Sequence, residues 1–161
     1  MQSFFIRRLP KPKAKAVVLA GVGGAIAIAA LLALSKILLT TLVIAPFGAT
    51  CVLIFAVPSA PLSQPVNVVG GHMVSAIAGM LAFLLLPDFW WFPALGVGLA
   101  IAAMVALRVT HPPAGANPLV IALLQPDWWF VLLPVSLGAF LLVMIGLIYH
   151  RTSGNQYPVA D

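Results

Sequence analysis

Apolar runs alternate along the chain with short polar interruptions, and two of the runs are cut by proline and glycine. The first run begins at Ala14 and ends in the Ser35–Thr41 region. Ala45-Pro46-Phe47-Gly48-Ala49-Thr50 then breaks the pattern, and a short apolar run, Cys51 to Val57, follows. Pro58 to Pro65 reads as a loop. A third run covers Val66 to Leu86, with Asn67, Gly70, Gly71 and His72 in its first two turns. Pro87-Asp88 turns the chain, and a fourth run covers Phe92 to Val109. The second break, Thr110-His111-Pro112-Pro113-Ala114-Gly115-Ala116-Asn117-Pro118, precedes a short run from Leu119 to Leu124. Gln125 to Trp129 turns the chain again, and a last run spans Phe130 to Tyr149. The pattern predicts helix, broken helix, helix, twice over.

Prolines 112, 113 and 118 supply no backbone N–H and restrict the residues before them, so regular helix cannot run through the second break. Irregular polar backbone at membrane depth is tolerated only where protein buries it or water reaches it. Small residues four apart mark helix faces that admit close neighbours: Gly21, Ala25, Ala29 and Ala33; Gly71, Ser75 and Gly79; Ala94, Gly98, Ala102 and Ala106.

Composition places this pattern in a bilayer. The chain is 63% hydrophobic and 7% charged, where a soluble domain carries about a quarter charged residues. Five of the eight basic residues (Arg7, Arg8, Lys11, Lys13, Lys15) lie ahead of Ala16, before or at the very start of the first run. They mark residues 1–13 as a basic cytoplasmic tail, followed by one transmembrane domain over residues 14–151 and a polar tail over 152–161. A secretory signal is disfavoured, because the first run is too long for such a segment and no clear cleavage site follows. The basic balance is not a nucleic-acid signal. A lone Cys51 excludes an internal disulfide, and no metal or cofactor is expected. Motifs for hydrolysis or nucleotide binding are absent, so an enzyme is not expected.

Compared with itself at an offset of 67 residues, the chain sets Pro46, Gly48 and Ala49 on Pro113, Gly115 and Ala116, and Thr50 on Asn117. Ile54, Val68, Gly71 and Gly79 fall on Ile121, Val135, Gly138 and Gly146 without a gap. Chance identity is the competing explanation in so Ala- and Gly-rich a chain. The offset predicts two repeats, about 14–86 and 87–151. If each broken segment crosses the membrane, the repeats are inverted copies and both termini are cytoplasmic. Arg108 is then cytoplasmic, and the turns at Asp88 and Asp127, each with two tryptophans, lie outside. Lys36 is the misfit. The expectation is an all-α polytopic membrane protein of the cytoplasmic membrane.

Paired interrupted segments in two halves point to a transporter site. A short helix starts after each break, and helix starts favour anions. The candidate substrate-binding residues are Pro46, Gly48, Ala49 and Thr50 from the first break, and Thr110, His111, Pro113, Gly115, Ala116 and Asn117 from the second. Asn67, Gly71 and His72 join them from the third run. Arg108 stands at the entrance. The histidines could couple an anion to a proton. Scarce carboxylates (Asp88, Asp127 and Asp161) argue against a cation path. The alternative is a non-transporting membrane subunit whose breaks serve packing and partner binding. Exposed polar backbone at the breaks favours an oligomer over a monomer.

Thr110-His111-Pro112-Pro113-Ala114-Gly115-Ala116 resembles the signature of the HPP family of small integral membrane proteins. Pro46-Phe47-Gly48-Ala49-Thr50 and Gln64-Pro65-Val66-Asn67-Val68-Val69-Gly70-Gly71-His72 are similar to its two other typical runs. The resemblance covers residues 14 to 150. It implies a fold usually described with four or five spans. From cyanobacterial and chloroplast members it implies transport of a nitrite-like monovalent anion. Val66 departs from the pattern, since a basic residue is expected before Asn67.

Overall fold

The computed structural model describes residues 6–7, 10–86 and 89–159. Arg8 of the basic tail, the Pro87-Asp88 turn and Asp161 lie outside the described residues. Among the described residues the chain is helical, with no strand. Helix α1 is Ala14–Leu38. Helix α2 is Pro46–Cys51, continued by a wider π-type winding over Val52–Ala56. Helix α3 is Pro65–Leu85 and α4 is Phe92–Ala106. A tight 3-10 stretch, Pro112–Ala116, leads into α5, Asn117–Leu124. A π-type stretch, Val131–Ser136, leads into α6, Leu137–Ser153. Pro46, Pro65, Pro93 and Pro118 all sit in first turns, where the missing N–H costs nothing.

The six segments alternate in direction. Tyr149 of α6 donates its hydroxyl to Leu19 O of α1 at 2.8 Å, and His150 donates Nε2–H to Ile54 O at the end of α2 at 2.8 Å. Tyr157 donates to Ser63 O, just before α3, at 2.9 Å; burial pushes this phenol's pKa up. One face of the bundle thus holds the start of α1, the end of α2, the start of α3 and the end of α6. Three stretches are long and apolar enough to cross a membrane: Ala14–Leu38, Pro65–Leu85 and Val131–Ser153. Pro46–Ala56, Phe92–Ala106 and Pro112–Leu124 are shorter. Eleven residues, as in Pro46–Ala56, rise about 16 Å as helix, half a hydrocarbon thickness.

The core is built on Leu42, Phe47, Ile54, Val68, Ile121, Val135 and Leu142, none of which is exposed. The outside is apolar as well: Leu39, Leu85, Trp90 and Leu123 are each at least three-quarters exposed. That inverted surface is what lipid solvates. Asp127 accepts the Trp129 N–H at 2.9 Å, so the carboxylate shapes the turn that presents the aromatic pair.

Contacts between the halves repeat at the offset found in the sequence. A methyl group added at Gly71 would lie 2.8 Å from Val109 O, and one at Gly138 would lie 2.8 Å from Leu42 O. One at Gly79 would lie 2.9 Å from Ile121 Cδ1, and one at Gly146 would lie 2.7 Å from Ile54 Cγ2. Each pair becomes the other when both members shift by 67 residues in opposite senses.

Three expectations need correction. The fourth run was expected to continue to Val109, but α4 ends at Ala106. Arg108 takes a left-handed conformation (φ 60°), and the Val109 N–H closes on Met104 O at 2.9 Å. This is a Schellman cap with arginine where glycine is usual. Arg108→Gly is therefore expected to raise the unfolding midpoint, by about 1 kcal/mol of stability, in a thermal melt. The last run was expected to be continuous helix. It breaks at Leu133 (φ −121°, ψ 119°), because Pro134 lacks an N–H and excludes helix before it. Finally, the small-residue faces Gly21/Ala25/Ala29/Ala33 and Ala94/Gly98/Ala102/Ala106 point outward. The packed faces are instead Gly23/Ala27/Leu31 and Phe92/Gly96/Ala100/Met104.

Candidate functional site

Two features of α3 build the site. One is the small stripe Gly71/Ser75/Gly79, which receives the second break along its length. Gly71 faces His111, Ser75 donates its hydroxyl to Ala114 O at 2.6 Å, and Gly79 faces Pro118. The prolines forbid helix there, and α3 supplies the hydrogen bonding and close surface that irregular backbone needs. The other feature is His72, one residue past Gly71, which turns toward the first break. Phe47 meets it edge-on at 5.1 Å.

Thr50 on α2 joins the two breaks. Its Oγ1 lies 2.8 Å from His72 Nε2 and 3.0 Å from His111 Nε2. Thr50, His72, His111 and Asn117 are all fully buried. The imidazole centroids are 5.1 Å apart.

The ends of this chain fix its direction. His111 Nδ1 lies 2.8 Å from Leu62 O, which only accepts, so Nδ1 carries the proton. Asn117 Nδ2 donates to His72 O at 3.0 Å, which orients the amide. Its second hydrogen faces His72 Nδ1 at 3.2 Å, so that nitrogen accepts. With one proton per ring, His72 Nε2–H donates to Thr50 Oγ1, and the Thr50 hydroxyl donates to His111 Nε2 at 3.0 Å, the nearer of its two acceptors, the other being Pro46 O at 3.2 Å. The result is a single polarised sequence from Asn117 through His72, Thr50 and His111 to Leu62 O. Asn117 Oδ1 is buried and has no hydrogen-bond partner among the described residues.

The remaining candidate residues fall into two groups. Asn67 donates Nδ2–H to Thr110 O at 3.0 Å and holds the entry to the second break, with Gly71 beside it. Pro113 is buried under the same break, and Pro46 O lies 3.2 Å from the Thr50 hydroxyl. Gly48 and Ala49 are exposed, Gly48 on the groove between α1 and α2, and Gly115 and Ala116 are half-buried. Phe47 and Gly48 N–H already donate to Ile44 O and Ala45 O, and Ala114 N–H to His111 O. What the breaks bring together is therefore side chains. Neither Gly48 nor Gly115 has a neighbour within 4 Å of an added methyl. Gly48→Ala and Gly115→Ala are each expected to fold with stability within about 1 kcal/mol of the parent, by thermal unfolding. Arg108 is exposed at the end of α4.

Sequence reasoning missed Leu62 O, Ser75 and Phe47 as members of the site. Ser75 carried a signal, since it lies between Gly71 and Gly79 on one face. Leu62 carried none, because it contributes only a carbonyl from the loop before α3. Among the described residues no three of His, Cys, Asp and Glu gather as metal ligands.

Residues 9–158 match the family described as HPP, transmembrane region. The chain belongs to the HPP family. Two transmembrane proteins of Dictyostelium discoideum are similar to it. One is 40% identical over 81 residues, covering 48% of this chain and 28% of the relative. The other is 40% identical over 85 residues, covering 50% of this chain and 27% of the relative. The matched region thus spans less than a third of either relative. No solved structure matches the HPP chain.

Proposed function

We propose that this HPP protein moves a small monovalent anion of the nitrite class across the membrane together with a proton. The observation that carries the reading is the buried sequence Asn117–His72–Thr50–His111–Leu62 at the meeting of the two broken segments. Titratable side chains inside a membrane domain are costly and mark proton or substrate paths. Here two imidazoles share one hydroxyl: once the Asn117 amide turns its N–H away, His72 Nδ1 can take up a proton, Nε2 passes one through Thr50 to His111 Nε2, and His111 releases its Nδ1 proton when the bond to Leu62 O opens. The buried Asn117 Oδ1 is an acceptor next to the entry of that relay, suited to the O–H of a protonated substrate or of water. Scarce carboxylates and the exposed Arg108 favour an anion over a cation at the approach. The contacts that exchange at the 67-residue offset support an inverted-repeat reading, in which opening one half mirrors closing the other.

Uptake of nitrite into liposomes containing the purified protein should exceed uptake into empty ones, with nitrate and formate as comparison anions. No excess flux by folded protein would overturn the proposal. A packing role remains the competing reading, favoured by the complete burial of all four polar side chains. It predicts that substitutions at His111 lower assembly and leave the flux of whatever folds unchanged.

A further inference from the structure

A basin of about 550 Å³ lies on the face that holds the start of α1 and the end of α6. Lys13 and Lys15 line it, with Ser59, Ser153 and Asn155 adding neutral polar groups, and no described lining residue is acidic. Both lysines are exposed. The basin continues at Ala16 and Ala56 into an apolar hollow of about 440 Å³. At Ala20 and Ala56 that hollow continues into a groove of about 610 Å³ between α1 and α2. The groove runs past Gly21, Gly24, Ala25 and Ile28 up to Leu32. Nothing stands within 4 Å of a methyl placed at Gly21.

One path therefore starts at two cations and ends along some three turns of apolar helix surface. We propose that it holds an anionic phospholipid, its phosphate and headgroup at Lys13 and Lys15 and one acyl chain along α1 and α2. Charge decides against a second copy of the chain as occupant. A twofold pairing on this face would bring like-charged lysine pairs together with no described carboxylate between them. It decides equally against a zwitterionic lipid as the preferred guest. Each lysine close to an anionic headgroup contributes roughly a fivefold preference.

The test is native mass spectrometry of the full chain in detergent, with phosphatidylglycerol and phosphatidylcholine of identical acyl chains in competition. On the order of tenfold more phosphatidylglycerol should be retained, given two lysines and partial screening. The double variant Lys13→Gln, Lys15→Gln should lose the preference and still hold lipid. Gly21→Leu, or Ala25→Leu if the first fails to fold, should lower retention of both lipids. Equal retention by the parent protein would overturn the proposal. So would retention unchanged by either groove variant, displacement of lipid by glycerol phosphate alone, or a lipid-free dimer that Gly21→Leu dissociates.

Discussion

Thr50→Val is expected to give a folded protein that no longer moves protons with its substrate. Valine keeps the shape of threonine and removes the one atom that touches both imidazoles, at 2.8 and 3.0 Å. His72 Nε2–H then has no acceptor and His111 Nε2 no donor, and both rings are fully buried. Leaving such groups unpaired costs about 1–3 kcal/mol each, so the unfolding midpoint should fall measurably in a thermal melt. Thr50→Ser restores the hydroxyl and should recover most of both stability and coupled flux. A purely structural role would lower stability in Thr50→Val without changing the flux per folded molecule.

Gly71→Ala and Gly138→Ala should be among the damaging single-methyl substitutions, and comparable to each other. At Gly71 the methyl would lie 2.6 Å from His111 Cβ and 2.8 Å from Val109 O. At Gly138 it would press on Phe47 and lie 2.8 Å from Leu42 O. In both places the obstacle includes backbone, which cannot swing aside as a long side chain would. Overpacking typically costs about 1–3 kcal/mol, and the cost here falls on the two stretches that hold the breaks in position. The yield of monodisperse protein and its melting midpoint, measured beside Gly48→Ala and Gly115→Ala, would check this. Damage at Gly48 and Gly115 equal to that at Gly71 and Gly138 would contradict it.

Much of this arrangement is legible in the sequence because prolines and glycines announce themselves. Pro46 and Pro112-Pro113 mark the breaks, and the 67-residue offset already pairs Thr50 with Asn117. The structure adds that both members of that pair reach the same residue, His72, from opposite ring nitrogens. Periodicity cannot show that, because it says which face a residue occupies and not what stands opposite. The same limit explains the small-residue stripes. Spacing of four identifies a narrow helix face, yet only Gly71/Ser75/Gly79 is covered within the chain, and it is covered by a break instead of a helix. The C-terminal end of α4 and the interruption at Leu133 were missed for local reasons. An arginine took a cap position that glycine usually fills, and Pro134 acted on the residue before it.

The helix starts were expected to offer bare N–H groups to an anion. Short turns from Ile44 and Ala45 already occupy the N–H groups of Phe47 and Gly48. The polar capacity of the breaks therefore resides in the Thr50, His72, His111 and Asn117 side chains, which is why the proposed function joins a proton to the anion.

The most direct test is nitrite uptake into sealed proteoliposomes with and without an inward proton gradient, corrected for empty liposomes and followed with a dye that reports internal pH. The buried relay predicts uptake accelerated by external acid and accompanied by acidification of the interior, both lost in Thr50→Val. Nitrite uptake that is insensitive to the gradient, moves no protons and charges the membrane would contradict it.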